Sequence, residues 1–486
     1  MRAFLAVIFT VLLLSVPVVA ANADPVAEGL RFESDVTYRL EPDEERVRVT
    51  MEVALTNQTP DRGNMYFYFD RIAVPALREA SNVSATSSGG SSLRVDVADA
   101  EEPILSVLTV WLPGQLRYGQ TQRLTLTYDL PDQPPRSEGR TRATDAYASF
   151  DVFPFADPGL ASVTVVVPDS YRVEVGGVGM SRETDGDAFV YSESGIEDPW
   201  EWWARFAARD DDLLDERSVE LGGAPAVLRY WPGDDEWADF VEETAGEGVP
   251  VLEELTGLPW PDSRELEIVE SSAPDAHGYL GWYNSAEHVV EVGDGLDAQL
   301  VLHELSHVWF NDELVEERWI AEGLAELYSH AALEHIEGSA PQAEEVDGDV
   351  EPLVSWRPMS GAPDESDVHA YRTAWWLFQE VHSEIGTEAM AEVLGAAAAT
   401  EIPYRAGEPE AVPGRVDWRR VLDLLQEVGG SELAVELYED HVLPDDDLDV
   451  LEDRSEARAS YARLAEAGID PSIIDVDAFA LHNVFE

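Results

Sequence analysis

The chain of 486 residues contains no cysteine and no lysine. Without cysteine there is no disulfide and no thiolate metal site, so a transition metal must be held by histidines and carboxylates. All 31 basic residues are arginines, against 98 acidic ones, for a formal net charge of −67. Such a surface cannot neutralise phosphates, which argues against nucleic acid as a partner. It also repels itself, and that repulsion is screened in molar salt, where the Debye length falls to about 3 Å. We read the charge as adaptation to high salt; an ordinarily acidic exported protein is the alternative. Histidine is missing from the first half, since none of the ten precedes His277. The N-terminal half therefore offers no imidazole ligand and reads as scaffold or cleft wall.

Only residues 1–23 combine length with low polarity. Arg2, an apolar run from Ala3 to Ala20, and Ala21-Asn22-Ala23 read as a secretory signal cleaved before Asp24. Its removal takes away one positive charge, moving the net charge from −67 to −68. The expectation is an exported protein without stable membrane insertion; an uncleaved N-terminal anchor is the alternative.

Over residues 24–222, short runs alternate apolar and polar side chains between Gly, Pro, Asn and Asp. Arg46 to Val53, Arg123 to Tyr128 and Ala161 to Val167 are examples, and together they predict an all-β sandwich or saddle-shaped domain. Gly89-Gly90 in a serine-rich tract reads as a hairpin tip, and Asn57-Gln58-Thr59 and Asn82-Val83-Ser84 are glycosylation sequons. From about Ala224 the texture changes to mixed α and β. Ala226 to Tyr230, Glu265 to Val269 and His288 to Val292 read as strands, and Glu236 to Leu255 as a helix. Amphipathic segments at 417–428, 432–441 and 455–468 predict helices. The division is thus 24–222, 223–445 and a helical tail at 446–486.

The chemistry is concentrated in His303-Glu304-Leu305-Ser306-His307. Residues four apart share a helix face, so His303 and His307 can aim ring nitrogens at one Zn²⁺ while Glu304 reaches a water without ligating. Chance produces roughly 0.02 such pentapeptides in a chain of this length. The bland alternative is a pair of buried histidines satisfied by carbonyls or carboxylates. A catalytic zinc takes three protein ligands and leaves one position open. A third donor is therefore expected shortly downstream, on a second helix.

Trp319-Ile320-Ala321-Glu322-Gly323-Leu324-Ala325-Glu326 resembles the WLNEGFA(E) segment of the aminopeptidase-N-like gluzincins. His303 to Phe310 likewise resembles that family's HELAHQWF. The resemblance implies a thermolysin-like zincin unit over 223–445, with Glu322 as the third zinc ligand. Only 14 residues separate His307 from Glu322, fewer than in the family, and counting alone selects Glu326. A loop deletion before Trp319 keeps the local motif whole, so Glu322 is the first choice and Glu326 the second. The two are four apart on one helix face, and the other one then supports the ligands from behind. A metzincin pattern is absent, because Phe310 and Glu313 stand where it needs Gly and His.

Other segments extend the likeness. Leu112-Pro113-Gly114 followed by Leu124 to Tyr128 resembles a hairpin of the family's N-terminal domain. Tyr371-Arg372-Thr373-Ala374 resembles its Y-E-K-G, which implies that Tyr371 donates to the oxyanion; packing on Trp375 and Trp376 is the alternative. The region around Gly281 occupies the place of the GAMEN motif, whose Glu grips a substrate's free amine, and no Glu matches there. The implied activity is zinc-dependent hydrolysis of a peptide or protein substrate, with Glu304 as general base. A metal-stabilised, inactive surface or binding protein is the runner-up, and a zinc hydrolase of a non-peptide amide or epoxide is a third reading.

Overall fold

The computed structural model describes residues 29–467 except 262, 347–350, 358–363, 403–409 and 412–413. The signal expected at residues 1–23 lies outside the described residues. The chain is α+β and multidomain, with a β-rich N-terminal part, a mixed sheet wrapped by helices, and helices at the C-terminal end.

In the N-terminal part, strand Leu30–Glu41 buries Leu30, Phe32, Val36, Tyr38 and Leu40 and turns the intervening residues outward. That period of two is what a half-buried strand requires. It pairs antiparallel with Arg46–Asn57 and parallel with Ala161–Pro168, inside an eight-stranded sheet. A four-stranded and a three-stranded sheet share its apolar core, where Phe206 stacks on Phe150 and meets Tyr191 edge-on. Gly90 turns the tip between strands Ser81–Ser87 and Ser92–Leu93 with φ +79°, as the sequence suggests.

Two local expectations fail. Leu112 and Leu124 do not share a hairpin: strand Leu105–Arg117 belongs to the three-stranded sheet and Thr121–Pro131 to the eight-stranded one. The turn between them, with Gly119 at φ +72°, hands the chain from one sheet to the other. Asn57 is fully buried, and its amide donates to the carbonyls of Leu116 at 2.9 Å and Phe67 at 3.1 Å. It is an internal clamp, closed to glycosylation, because a buried amide with both donors engaged cannot be released cheaply.

The second sheet comprises β1 (Asp215–Leu221), β2 (Ala224–Tyr230), β3 (Leu266–Glu270), β4 (Gly281–Asn284) and β5 (Val289–Val292), in the order β1-β2-β3-β5-β4. It starts at Asp215, on the N-terminal side of the 222/223 division, since β1 pairs antiparallel with β2. The β2, β3 and β5 neighbours run parallel and β4 is an antiparallel edge. Helix α1 (Asp235–Thr256) is capped by Asp234, which accepts from the Trp237 amide, and ends at Gly257 with φ +68°. Its buried face, including Trp237, Val241, Ala245 and Leu252, joins the sheet to α2 (Ala298–Ser306), α3 (Arg318–Glu337) and α4 (Glu365–Ala398) in one core. At Gly248 a Cβ would lie 2.1 Å from Cδ2 of the buried Leu302, so a larger residue there would force that side chain to move. Helix α5 (Trp418–Glu427) places Asp423 between Arg454 and Arg458 of α6 (Asp449–Glu466), a buried cluster that ties the tail to the domain. Helix α6 starts six residues ahead of the expected Ser455, at Asp449.

The N-terminal part abuts the second sheet. Tyr147 stacks on Trp231 at 3.9 Å, Arg136 pairs with Asp234 at 2.7 Å, and Arg209 with Glu291 at 2.9 Å.

Candidate metal centre

Helix α2 starts where Asp297 accepts from the Leu300 amide at 3.2 Å. It carries His303 and Glu304, and His307 follows as its terminal residue, still helical at φ −66° and ψ −12°. The four-residue spacing brings the two rings face to edge, with centroids 4.9 Å apart. Beyond His307 the chain turns sharply, and the Asn311 amide donates to the carbonyls of His307 and Val308. That turn delivers the Phe310 carbonyl to His307 Nδ1 at 2.9 Å. A carbonyl can only accept, so Nδ1 carries the proton and the Nε2 lone pair faces inward.

Helix α3 crosses this pair and supplies Glu322. His303 Nε2 lies 3.2 Å from His307 Nε2, and Glu322 Oε2 lies 3.4 Å from the first and 3.3 Å from the second. Among the described residues this is the one group of three or more His or acidic side chains with ligand spacing, all ligand atoms falling within 4.8 Å. Glu326 does not join it. Its carboxylate stands behind His303, 3.5 Å from Nδ1, and accepts from Gln299 at 3.1 Å. His330, stacked on Trp375 at 4.1 Å, has its Nδ1 3.3 Å from the same carboxylate and 2.9 Å from the Glu326 carbonyl. This is the carboxylate-behind-imidazole arrangement that orients a metal-binding histidine.

A tetrahedron with bonds of about 2.0–2.1 Å has edges of about 3.3–3.4 Å, so the donor set fits Zn²⁺. The electrostatics agree. Burial opposes charge on His303, yet the carboxylates of Glu326, Glu322 and Glu304 raise its pKa to about 9. Burial also opposes charge on Glu322, yet the imidazoles hold its carboxyl well below the usual carboxylate range. The triangle accepts positive charge.

Glu304 is buried beside the triangle, and burial raises its carboxyl above the ordinary range despite the two imidazoles. Edge strand β4 lies directly against it: a Cβ on Gly281 would meet Glu304 Cγ and Oε1 at 2.9 Å. From Gly281 to Asn284 this strand carries no carboxylate, and the Tyr283 hydroxyl is taken up by His288 Nδ1 at 2.8 Å.

Tyr371, on α4, meets the Trp356 ring at 4.8 Å, while the rings of Trp375 and Trp376 meet His330 and His441. Its hydroxyl accepts from Arg318 Nη2 at 2.8 Å. Arg318 also approaches Glu322 Oε1 at 3.4 Å and hydrogen bonds Tyr279. Neither Arg318 nor Tyr279 stood out in the sequence. The available signal was Arg318 four residues ahead of Glu322 in a helix start otherwise crowded with acids.

No family model matches the chain, and no curated protein matches it. Among solved structures it is similar to an M1 zinc metallopeptidase from Deinococcus radiodurans, at 17% identity and a TM-score of 0.35, over 86% of this chain and 96% of that one. A mutant of that enzyme bound to a Tyr-Ser-Ala substrate matches over the same shares at 16% identity and a TM-score of 0.33.

Proposed function

We propose that the protein is a zinc-dependent peptidase in which His303, His307 and Glu322 hold the metal and Glu304 is the general base. The observation that carries this reading is the triangle of donor atoms, with edges of 3.2, 3.4 and 3.3 Å, beside a buried carboxylate that is not part of it. Zn²⁺ bound there supplies Lewis acidity and activates water at neutral pH. Glu304 takes the proton of the attacking water and passes it to the leaving amine nitrogen. Its burial suits it to the first step, because a carboxyl raised above its usual range takes a proton more readily. Tyr371 donates its hydroxyl proton to the carbonyl oxygen as charge develops there, a contact whose loss typically costs about 10²–10³ in rate.

Strand β4 is an edge of its sheet among the described residues, and an extended peptide can pair with a sheet edge through main-chain groups alone. With no carboxylate on β4 to grip a free amine, peptides blocked at the N-terminus should be accepted. The proposal has the protein exported by way of residues 1–23. Among the described residues no helix is long and apolar enough to cross a bilayer.

The test is cleavage of a peptide library in salt, read by mass spectrometry, with a chelator control and N-acetylated versions of each cleaved peptide. Glu304→Gln keeps the size of the side chain but cannot take a proton. It should retain zinc and fold while turnover falls by orders of magnitude. A wild-type protein that binds zinc, cleaves nothing, and matches its Gln variant would move the case to the binding-protein reading.

A further inference from the structure

Arg318 is the first residue of α3, and its guanidinium has neighbours on several sides. Its Nε approaches Glu322 Oε1 at 3.4 Å, its Nη2 donates to Tyr371 Oη at 2.8 Å, and its Nη1 lies 3.8 Å from Asp367 Oδ1. The Trp356 ring covers it at 4.4 Å, and Tyr371 lies 5.2 Å from it on its own account. Asp367 is itself fixed, accepting from the Trp356 indole at 2.8 Å and from the Asp364 amide at 3.0 Å. These contacts orient the planar fork toward Tyr371.

We propose that Arg318 is a positioning residue that fixes how Tyr371 uses its hydroxyl. This rests on the peptidase reading above. A phenol has one proton to give and oxygen lone pairs to receive with. With Arg318 donating into a lone pair, the Tyr371 proton must be given elsewhere, and the site is left with a hydroxyl that donates. Without Arg318, the same hydroxyl is free to turn its proton onto the nearby anionic Glu322, which would satisfy it and remove it from the reaction.

The test compares wild type with Arg318→Met, Arg318→Lys, Tyr371→Phe and the Arg318→Met/Tyr371→Phe pair, measuring kcat, KM and zinc content. We expect Arg318→Met to lower kcat about 10- to 100-fold, with KM little changed and zinc retained. Arg318→Lys should recover part of the rate, since it restores charge but not the fork. The double variant should be no slower than Tyr371→Phe alone, because the arginine acts through the phenol. Independent, additive losses would overturn the proposal, and so would loss of zinc from Arg318→Met. A readout free of turnover is the ¹⁹F resonance of 3-fluorotyrosine placed at position 371 in metal-free protein. It should shift in Arg318→Met, and an unmoved resonance overturns the proposal even if peptides are cleaved. A shifted resonance in a protein that cleaves nothing supports the hydrogen-bonded pair while removing the peptidase reading.

Discussion

One methyl group added at Gly281 should lower the rate without altering any group that takes part in the reaction. A methyl group added there would sit 2.9 Å from both Cγ and Oε1 of Glu304 and 3.0 Å from Cγ1 of Val292. Carbon atoms in contact keep about 3.5–4.0 Å, so the neighbours must open by about half an ångström or more. Val292 is buried and is the cross-strand partner of Gly281, so it is held from both sides. The Glu304 side chain turns on rotatable bonds and is the one that yields. A misplacement approaching 1 Å at a reacting group can cost about 10²-fold, so Gly281→Ala should lower kcat about 10- to 100-fold. Overpacking should cost about 1–3 kcal/mol of stability. Zinc content should not change, because the new methyl does not touch His303, His307 or Glu322. Steady-state kinetics, metal analysis and thermal melting measure the three quantities, and Gly281→Ala added to Glu304→Gln should cause no further loss. Full activity in a folded, zinc-replete Gly281→Ala protein would refute the packing of β4 on the base.

Three further outcomes follow from the same geometry. Glu322→Ala should abolish zinc binding, whereas Glu326→Ala, which strips His303 of its carboxylate support, should weaken it about 10- to 100-fold; equilibrium dialysis showing the reverse order would exchange their roles. Glu270, whose Oε2 accepts from the Trp231 amide, has its pKa pushed up to about 9, chiefly by burial. Its folded pKa lies above its unfolded one, so its contribution is complete below about pH 4.5 and fades as pH rises toward 9, by up to about 1.4 kcal/mol per unit. Glu270→Gln, neutral throughout, should flatten the fall in melting temperature between pH 6 and 9, and parallel curves would rule this out. Molar NaCl should raise the melting temperature relative to dilute buffer, since it screens a net charge of −67, and a flat or falling midpoint removes the high-salt reading.

What could be read in the sequence was what is local. Alternation at Arg46 to Val53 and Ala161 to Val167 gave strands, because the side-chain period of two is fixed by the backbone alone. Which sheet a strand enters depends on distant partners, and so Leu112 and Leu124 were paired wrongly. The Asn57 sequon illustrates the same limit: three residues carry the pattern, but the burial comes from Phe67 and Leu116. His303, Glu304 and His307 were legible because one helix turn aligns them. The spacing alone pointed to Glu326, since the length of a turn between two helices is not written in either helix. The Arg318 cluster draws on α3, α4 and the segments carrying Trp356 and Tyr279, and no short motif encodes four contributions of that kind.

The arginines explain why salt should favour this fold rather than loosen it. Several of the few cations sit at joints, not on the open surface. Arg136 makes a two-pronged contact with Asp234, Arg209 reaches Glu291, and Arg205 bridges Asp151 and Asp275, all between the N-terminal part and the second sheet or beside it. Arg454 and Arg458 enclose Asp423. A planar guanidinium suits these places because it meets a carboxylate through two bonds at once. Pairs buried this way are screened far less than exposed charges. The excess carboxylates have no such partners, and their mutual repulsion passes largely through solvent. Added salt therefore relieves the force that opposes compaction and leaves the joints mostly intact, which fixes the sign of the expected shift in melting temperature.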